Sequence, residues 1–100
     1  MDKYSVKLYT RAARDLEEIY DYISAHLLEP KTAINMVDLL EKAILSLEEL
    51  PERGALRKTG AFADGKHRQL FVKNYIILYV VLKDKKEVRI KTIRYSKSQF

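Results

Sequence analysis

The uncharged run Tyr75–Leu82 (YIILYVVL) constrains this chain more than any other stretch. It is β-branched and aromatic, too short for a helix that stands alone, and bounded by polar clusters. It therefore reads as a central strand with both faces covered. His67–Val72 and Val88–Tyr95 flank it as further strands, joined through Lys73-Asn74 and Asp84-Lys85-Lys86. Neither connection contains glycine, and Asn74 is the residue there that tolerates left-handed backbone.

Alternation through a two-residue turn sorts the side chains. Leu70, Val72, Tyr75, Ile77, Tyr79 and Val81 fall on one face, with Val88 and Ile90 beside them. Phe71, Ile76, Leu78, Val80 and Leu82 fall on the other, together with His67, Gln69, Arg89 and Lys91 of the flanking strands.

Upstream, Tyr4–Leu8 alternates as a half-buried strand does, and Thr10 is placed as the N-cap of a helix. Ala13, Leu16, Ile19/Tyr20, Ile23 and Leu27 recur at helical spacing over roughly four to five turns. Pro30 suits the first turn of a second helix, whose stripe is Ala33, Val37, Leu40, Ile44 and Leu47 and which ends at Pro51, with Gly54 beyond. Residues 51–65 form an aperiodic connection of the length that is often functional or mobile.

These elements predict one α+β domain over residues 1–100. An N-terminal strand and an antiparallel helical hairpin pack on one face of an antiparallel sheet completed by a three-stranded meander. Two helices cover only one sheet face. The expectation is therefore that Phe71, Ile76, Leu78, Val80 and Leu82 form an apolar strip rimmed by cations, larger than a soluble monomer leaves open. A partner molecule and a second copy of the chain, making a homodimer, are the alternative occupants of that strip.

Charge is unevenly spread. Residues 57–100 carry 12 Lys+Arg against 3 Asp+Glu, a balance of +9, whereas residues 1–56 carry 7 against 11, a balance of −4. The basic half points to an anionic partner. With no cysteine, disulfides and thiolate metal sites are excluded. His26 and His67 are far apart in sequence, so neither a metal site nor a cofactor is expected. Neither a signal-peptide core nor an apolar run of spanning length is present, which predicts a cytoplasmic protein with no membrane partner.

Gly60-x4-Gly65-Lys66 misses a phosphate loop: His67 replaces the hydroxyl residue, and a strand rather than a helix comes next. Metal-free RNA cleavage needs a base, an acid and cations around the scissile phosphate. Cations are plentiful in Arg68, Arg89, Lys91, Arg94 and Lys97, while His67 and Tyr95 are the proton-transfer candidates.

The order of these pieces resembles the RelE/ParE superfamily of toxins from type II toxin–antitoxin modules. The likeness runs through Leu8-Tyr9-Thr10, Ala13-Arg14-Asp15-Leu16-Glu17-Glu18-Ile19-Tyr20, Leu50-Pro51, Gly54, Arg68-Gln69-Leu70-Phe71-Val72, Asn74 to Tyr79, and Val88 to Lys97. It implies a growth-inhibiting toxin with a cognate antitoxin as partner, and the apolar strip from Phe71 to Leu82 as the surface for antitoxin or target. RelE-like members are ribosome-dependent mRNA endonucleases, metal-independent enzymes; ParE-like members poison DNA gyrase and lack the RNase residues. The RelE-type pattern places an arginine after the tyrosine opening the central strand, and here Ile76 follows Tyr75. The resemblance therefore leans to gyrase, with the ribosome and its mRNA as the alternative target. A non-toxic RNA- or protein-binding module built on the same basic sheet is the reading from another class.

Overall fold

The computed structural model describes residues 3–98. Its elements are β1 (Ser5–Leu8), α1 (Thr10–Asp21), a π-helical turn (Tyr22–His26), α2 (Pro30–Ser46), β2 (Ala55–Leu56), β3 (His67–Val72), β4 (Tyr75–Leu82) and β5 (Glu87–Tyr95). Five strands form one sheet in the order β1-β5-β4-β3-β2. The two helices lie against one of its faces, so the predicted two layers are present.

The meander matches the residue pattern closely. Val72 pairs with Tyr75, which makes Lys73-Asn74 a two-residue turn. Lys73, not Asn74, takes the left-handed backbone (φ 53°). Lys86 does the same (φ 51°) after a short 3-10 turn at Lys83–Lys85. Both are solvent-facing lysines, so the strain of placing a Cβ there is offset by the strand pairing on either side.

Three expectations are corrected. First, the sheet is mixed rather than antiparallel, because β1 runs parallel to β5, with Leu8 opposite Ile90. The chain leaves β1 through both helices and returns by way of three further strands, so no tight turn forces the first and last strands to oppose. Second, Tyr9 rather than Thr10 is the N-cap, and its side chain makes no capping bond. Third, residues 51–65 are not wholly irregular: Ala55 and Leu56 add a short edge strand to β3.

The first helix also turns differently at its end. The amide of Leu27 donates to the carbonyl of Tyr22, five residues back, so one extra residue enters the turn. That rotates the chain beyond it, and Leu27 and Leu28 emerge at 53% and 79% exposure. The buried stripe of α1 is Ala12, Asp15, Ile19 and, in the turn, Ile23, with Leu16 half-buried against the core; of the expected line Ala13 and Leu27 are exposed. On α2 the stripe is as predicted, with Ala33, Leu40, Ile44 and the following Leu47 buried and Val37 half-buried.

The main core joins these helical stripes to Leu70, Ile77, Tyr79, Val88, Ile90 and Ile93 of the sheet. Tyr79 is its largest wholly buried side chain, and its hydroxyl accepts a hydrogen bond from the amide of Gly54 at 2.8 Å. A Cβ on Gly54 would stand 2.6 Å from the carbonyl oxygen of Gln69 and 2.8 Å from that hydroxyl. Glycine is therefore required there by close approach, and the bond pins the connection after α2 to the sheet. Gly54→Ala is expected to destabilise by about 1–3 kcal/mol through overpacking. Tyr79→Phe should cost a similar amount, about 1–3 kcal/mol, by leaving a buried amide unpaired. Urea unfolding of the two variants measures both; a neutral Gly54→Ala would mean that this connection is free to move.

Candidate functional site: a helix-side groove and a basic sheet face

Asp15 faces inward on α1. Past Leu8, β1 no longer covers the edge of β5, and the Asp15 carboxylate takes its place. It accepts the backbone amide of Ile93 at 2.9 Å and the Thr92 hydroxyl, and pairs with Arg11 at 3.0 Å. A carboxylate this deeply buried is tolerable only with such donors. Helical spacing carries a signal for it, since position 15 lies three residues after Ala12 and four before Ile19, but an acid on an apolar stripe is not picked out by hydrophobic periodicity.

Beside that contact opens a groove of about 730 Å³. Ile19 of α1, Tyr22 of the π turn and Leu27 just after it form one side, Met36 the α2 side, and Tyr75 and Tyr95 the sheet side. The Tyr75 and Tyr95 rings meet edge-on with centroids 5.8 Å apart. Burial, and then the neighbouring phenols of Tyr95 and Tyr22, push the Tyr75 phenol above its ordinary range, so it stays protonated at neutral pH. Arg11, Glu18 and Arg94 stand at the margin. The arrangement suits an apolar segment with polar flanks. The sequence puts the expected partner surface on the other side of the sheet and does not announce this groove, because the groove depends on the extra residue in the π turn.

The second sheet face carries the expected residues in the expected rows, but it is not an open apolar strip. Ile76 and Leu78 are buried at 4% and 0%, Val80 and Leu82 are half-buried, and of the five only Phe71 stands well out, at 58%. Leu78 lies between Gln69 and Thr92 in the strand ladder. Each of those holds a guanidinium: Arg57 donates to Gln69 at 3.0 Å and Arg94 to Thr92 at 3.2 Å. Polar side chains thus cover the middle of the strip within one chain.

The candidate catalytic residues are spread out. His67 begins β3 and Tyr95 ends β5, opposite Val80 and Tyr75 of β4 respectively. Those positions are five steps apart along β4, about 16 Å at the usual rise. The Nδ1 of His67 lies 3.0 Å from Asp64, and its Nε2 is buried without a partner. Arg68 shares the helix-side face with Tyr79 and is committed to the Gly54 carbonyl at 2.7 Å and to Glu52 at 3.1 Å. Arg89 pairs with Glu87 at 2.9 Å, Lys91 sits 4.6 Å over the Tyr9 ring, and Lys97 is exposed. No group of histidine, cysteine and acidic side chains able to hold a metal is found among the described residues. No helix among them is long and apolar enough to cross a membrane.

The same architecture occurs in known toxins. The chain of the chromosomal ParDE system from P. aeruginosa superposes with a TM-score of 0.78 at 24% identity, covering 97% of this chain and 100% of that one. The toxin–antitoxin complex RelBE2 from Mycobacterium tuberculosis gives 0.63 at 22% identity over 95% and 93%. The isolated E. coli RelE toxin gives 0.63 at 15% over 96% and 87%. At these identities the likeness establishes the fold, a RelE/ParE-type toxin fold. No protein of curated function matches in sequence. The family model for the ParE toxin of type II toxin–antitoxin systems, parDE, matches residues 6–100, and the chain belongs to that family.

Two expectations arise from the site. Leu78→Asp puts a carboxyl into a wholly buried apolar position and should destabilise by about 2–5 kcal/mol, read as loss of the circular dichroism transition at lower urea. Retention of full stability would return that face to the open strip expected from sequence. The second concerns Asp64, whose carboxyl is held far below its ordinary range by the His67 hydrogen bond first and the Lys66 amide next. A depressed carboxylate contributes stability above its unfolded pKa, about 3.9, and loses it only as pH falls through the lower folded value. Amide protection at Lys66 and His67, which both donate to Asp64, taken relative to the intrinsic exchange rate at each pH, should hold at pH 5 and be lost only well below pH 4 in the native protein. It should already be lost at pH 5 in Asp64→Ala.

Proposed function

We propose that this toxin stops growth by inhibiting DNA gyrase and that a cognate antitoxin, seated in the helix-side groove, holds it inactive. The observation that carries the target is the separation of His67 from Tyr95. An mRNA-cleaving toxin needs its acid, base and cations on one phosphate, and one well-placed charge donor alone contributes about 3 kcal/mol in the transition state. Here the imidazole is engaged by Asp64 and lies at the opposite end of β4 from the phenol. Ile76, where the RelE-like pattern calls for arginine, offers no charge. The membership of the ParE toxin family supports the same target.

On this reading the chain is a binding inhibitor rather than a nuclease. Phe71, Val80 and Leu82 are the side chains of the second face that a target can reach, with Ile76 and Leu78 lying beneath as support. The groove suits an amphipathic antitoxin segment that orders as it binds, since its wall is apolar and its margin charged.

Purified toxin should inhibit gyrase supercoiling in vitro, and adding the antitoxin encoded beside it should restore the activity. RNA from induced cells should show no codon-positioned cuts. The opposite result, cleaved mRNA that becomes intact in an Arg89→Ala/Lys91→Ala double variant together with normal supercoiling, overturns the gyrase reading in favour of the ribosome.

A further inference from the structure

Aromatic rings on a sheet face are ordinarily hidden, yet this face leaves two of them in solvent. Phe71 on β3 is 58% exposed, and Tyr9, just past β1, is 37% exposed with Lys91 over one face of its ring. The two rings flank β5 and β4, three strand spacings or about 15 Å apart across the sheet, and are offset along it, since Phe71 is level with Arg94 and Tyr9 follows the Leu8–Ile90 pair. Between them β5 presents a line of cations. Arg89 lies opposite Val80, Lys91 is the extra residue where the β4–β5 register shifts, and Arg94 lies opposite Ile76. Lys7 of β1 stands beside Arg89, and Glu87 pairs with both, at 3.0 Å and 2.9 Å, so the trio keeps one net positive charge. From Arg89 to Arg94 the strand advances about 15 Å, room for two to three phosphates of an extended strand.

We propose that this face is a docking surface for single-stranded DNA, with Phe71 and Tyr9 as stacking platforms and Lys7, Arg89, Lys91 and Arg94 following the backbone. The inference deepens the gyrase reading and rests on it, because gyrase is an enzyme that holds and opens DNA. Charge complementarity names a polyanion: the half of the chain that contains β3, β4 and β5 has 12 Lys+Arg against 3 Asp+Glu. Exposed rings among cations select a strand with free bases over a duplex, in which bases are already stacked.

Most neutral hydrogen-bonding atoms of the face are engaged within the chain, and the His67 Nε2, which is not, is buried. Gln69 accepts from Arg57, Thr92 donates to Asp15, and His67 is held by Asp64. Discrimination in favour of RNA runs through hydrogen bonds to the 2′-hydroxyl. A face whose neutral groups are occupied reads charge and stacking instead, which suits DNA.

Fluorescence anisotropy with a labelled twelve-residue oligo-dT, an oligo-U of equal length and a duplex of equal length tests this on the purified toxin. Oligo-dT should bind at least as tightly as oligo-U and at least tenfold more tightly than the duplex. Its log affinity should fall with log salt at a slope of about −1.5 to −2, for two to three phosphates neutralised. Phe71→Ala, at an exposed position, should keep the fold by circular dichroism and weaken oligo-dT binding about tenfold. Lys91→Gln should reduce the slope by about 0.7.

A salt-independent signal, unchanged binding by Phe71→Ala, or preference for the duplex or for oligo-U overturns the proposal. Gyrase assays on the same samples separate it from the reading beneath it. Supercoiling inhibition that persists without oligo-dT binding sinks this inference and leaves gyrase as target. Normal oligo-dT binding with no inhibition by the native toxin supports the surface and removes gyrase.

Discussion

A single buried carboxylate sets the relation between the helices and the sheet. β1 pairs with β5 only as far as Ile90, and beyond it the edge of β5 would carry unpaired polar groups against the helical layer. Asp15 satisfies two of them, the Ile93 amide and the Thr92 hydroxyl, and Arg11 balances its charge. Such a contact adds little net energy when complete but is costly when half-made. Its effect is therefore positional. It fixes where α1 crosses the sheet, and with that the wall along which Ile19 and Tyr22 face Tyr75 and Tyr95.

Much of this fold is legible in the residues. The strands β3 and β4 begin and end where alternation and turn chemistry place them, because Tyr75–Leu82 has no alternative as an apolar run of that length. The stripe of α2 and the role of Pro30 are legible for the same reason. Features set by two distant segments at once are not. The parallel pairing of β1 with β5 leaves no local mark, and neither does the two-residue β2, which exists because β3 offers it an edge. The π turn moves Leu27 out of the core, and no residue between Tyr22 and His26 announces the wider hydrogen bond.

The site is legible in composition and not in arrangement. Arg89 and Lys91 stand on the face where alternation places them, as does Phe71. The depth of Ile76 and Leu78 is not legible, since counting helices gives the number of covered faces only if side chains do not cover their own sheet. Arg57 and Arg94, clasped to Gln69 and Thr92, illustrate how long polar side chains cover apolar neighbours while their heads find partners within the chain.

The position of β5 has a bearing on synthesis. Among the described residues the last strand in chain order, β5, is inserted between β1 and β4, and it alone joins the first strand to the rest of the sheet. A nascent chain that lacks residues 87–95 can form its helical hairpin and the β3–β4 hairpin, but it has neither the partner of β1 nor the donors that Asp15 requires. Chains emerge at about 5–20 residues per second, so for several seconds the ribosome carries a product without its finished sheet. The sheet closes only once residues 87–95 are available, as a property of strand order alone.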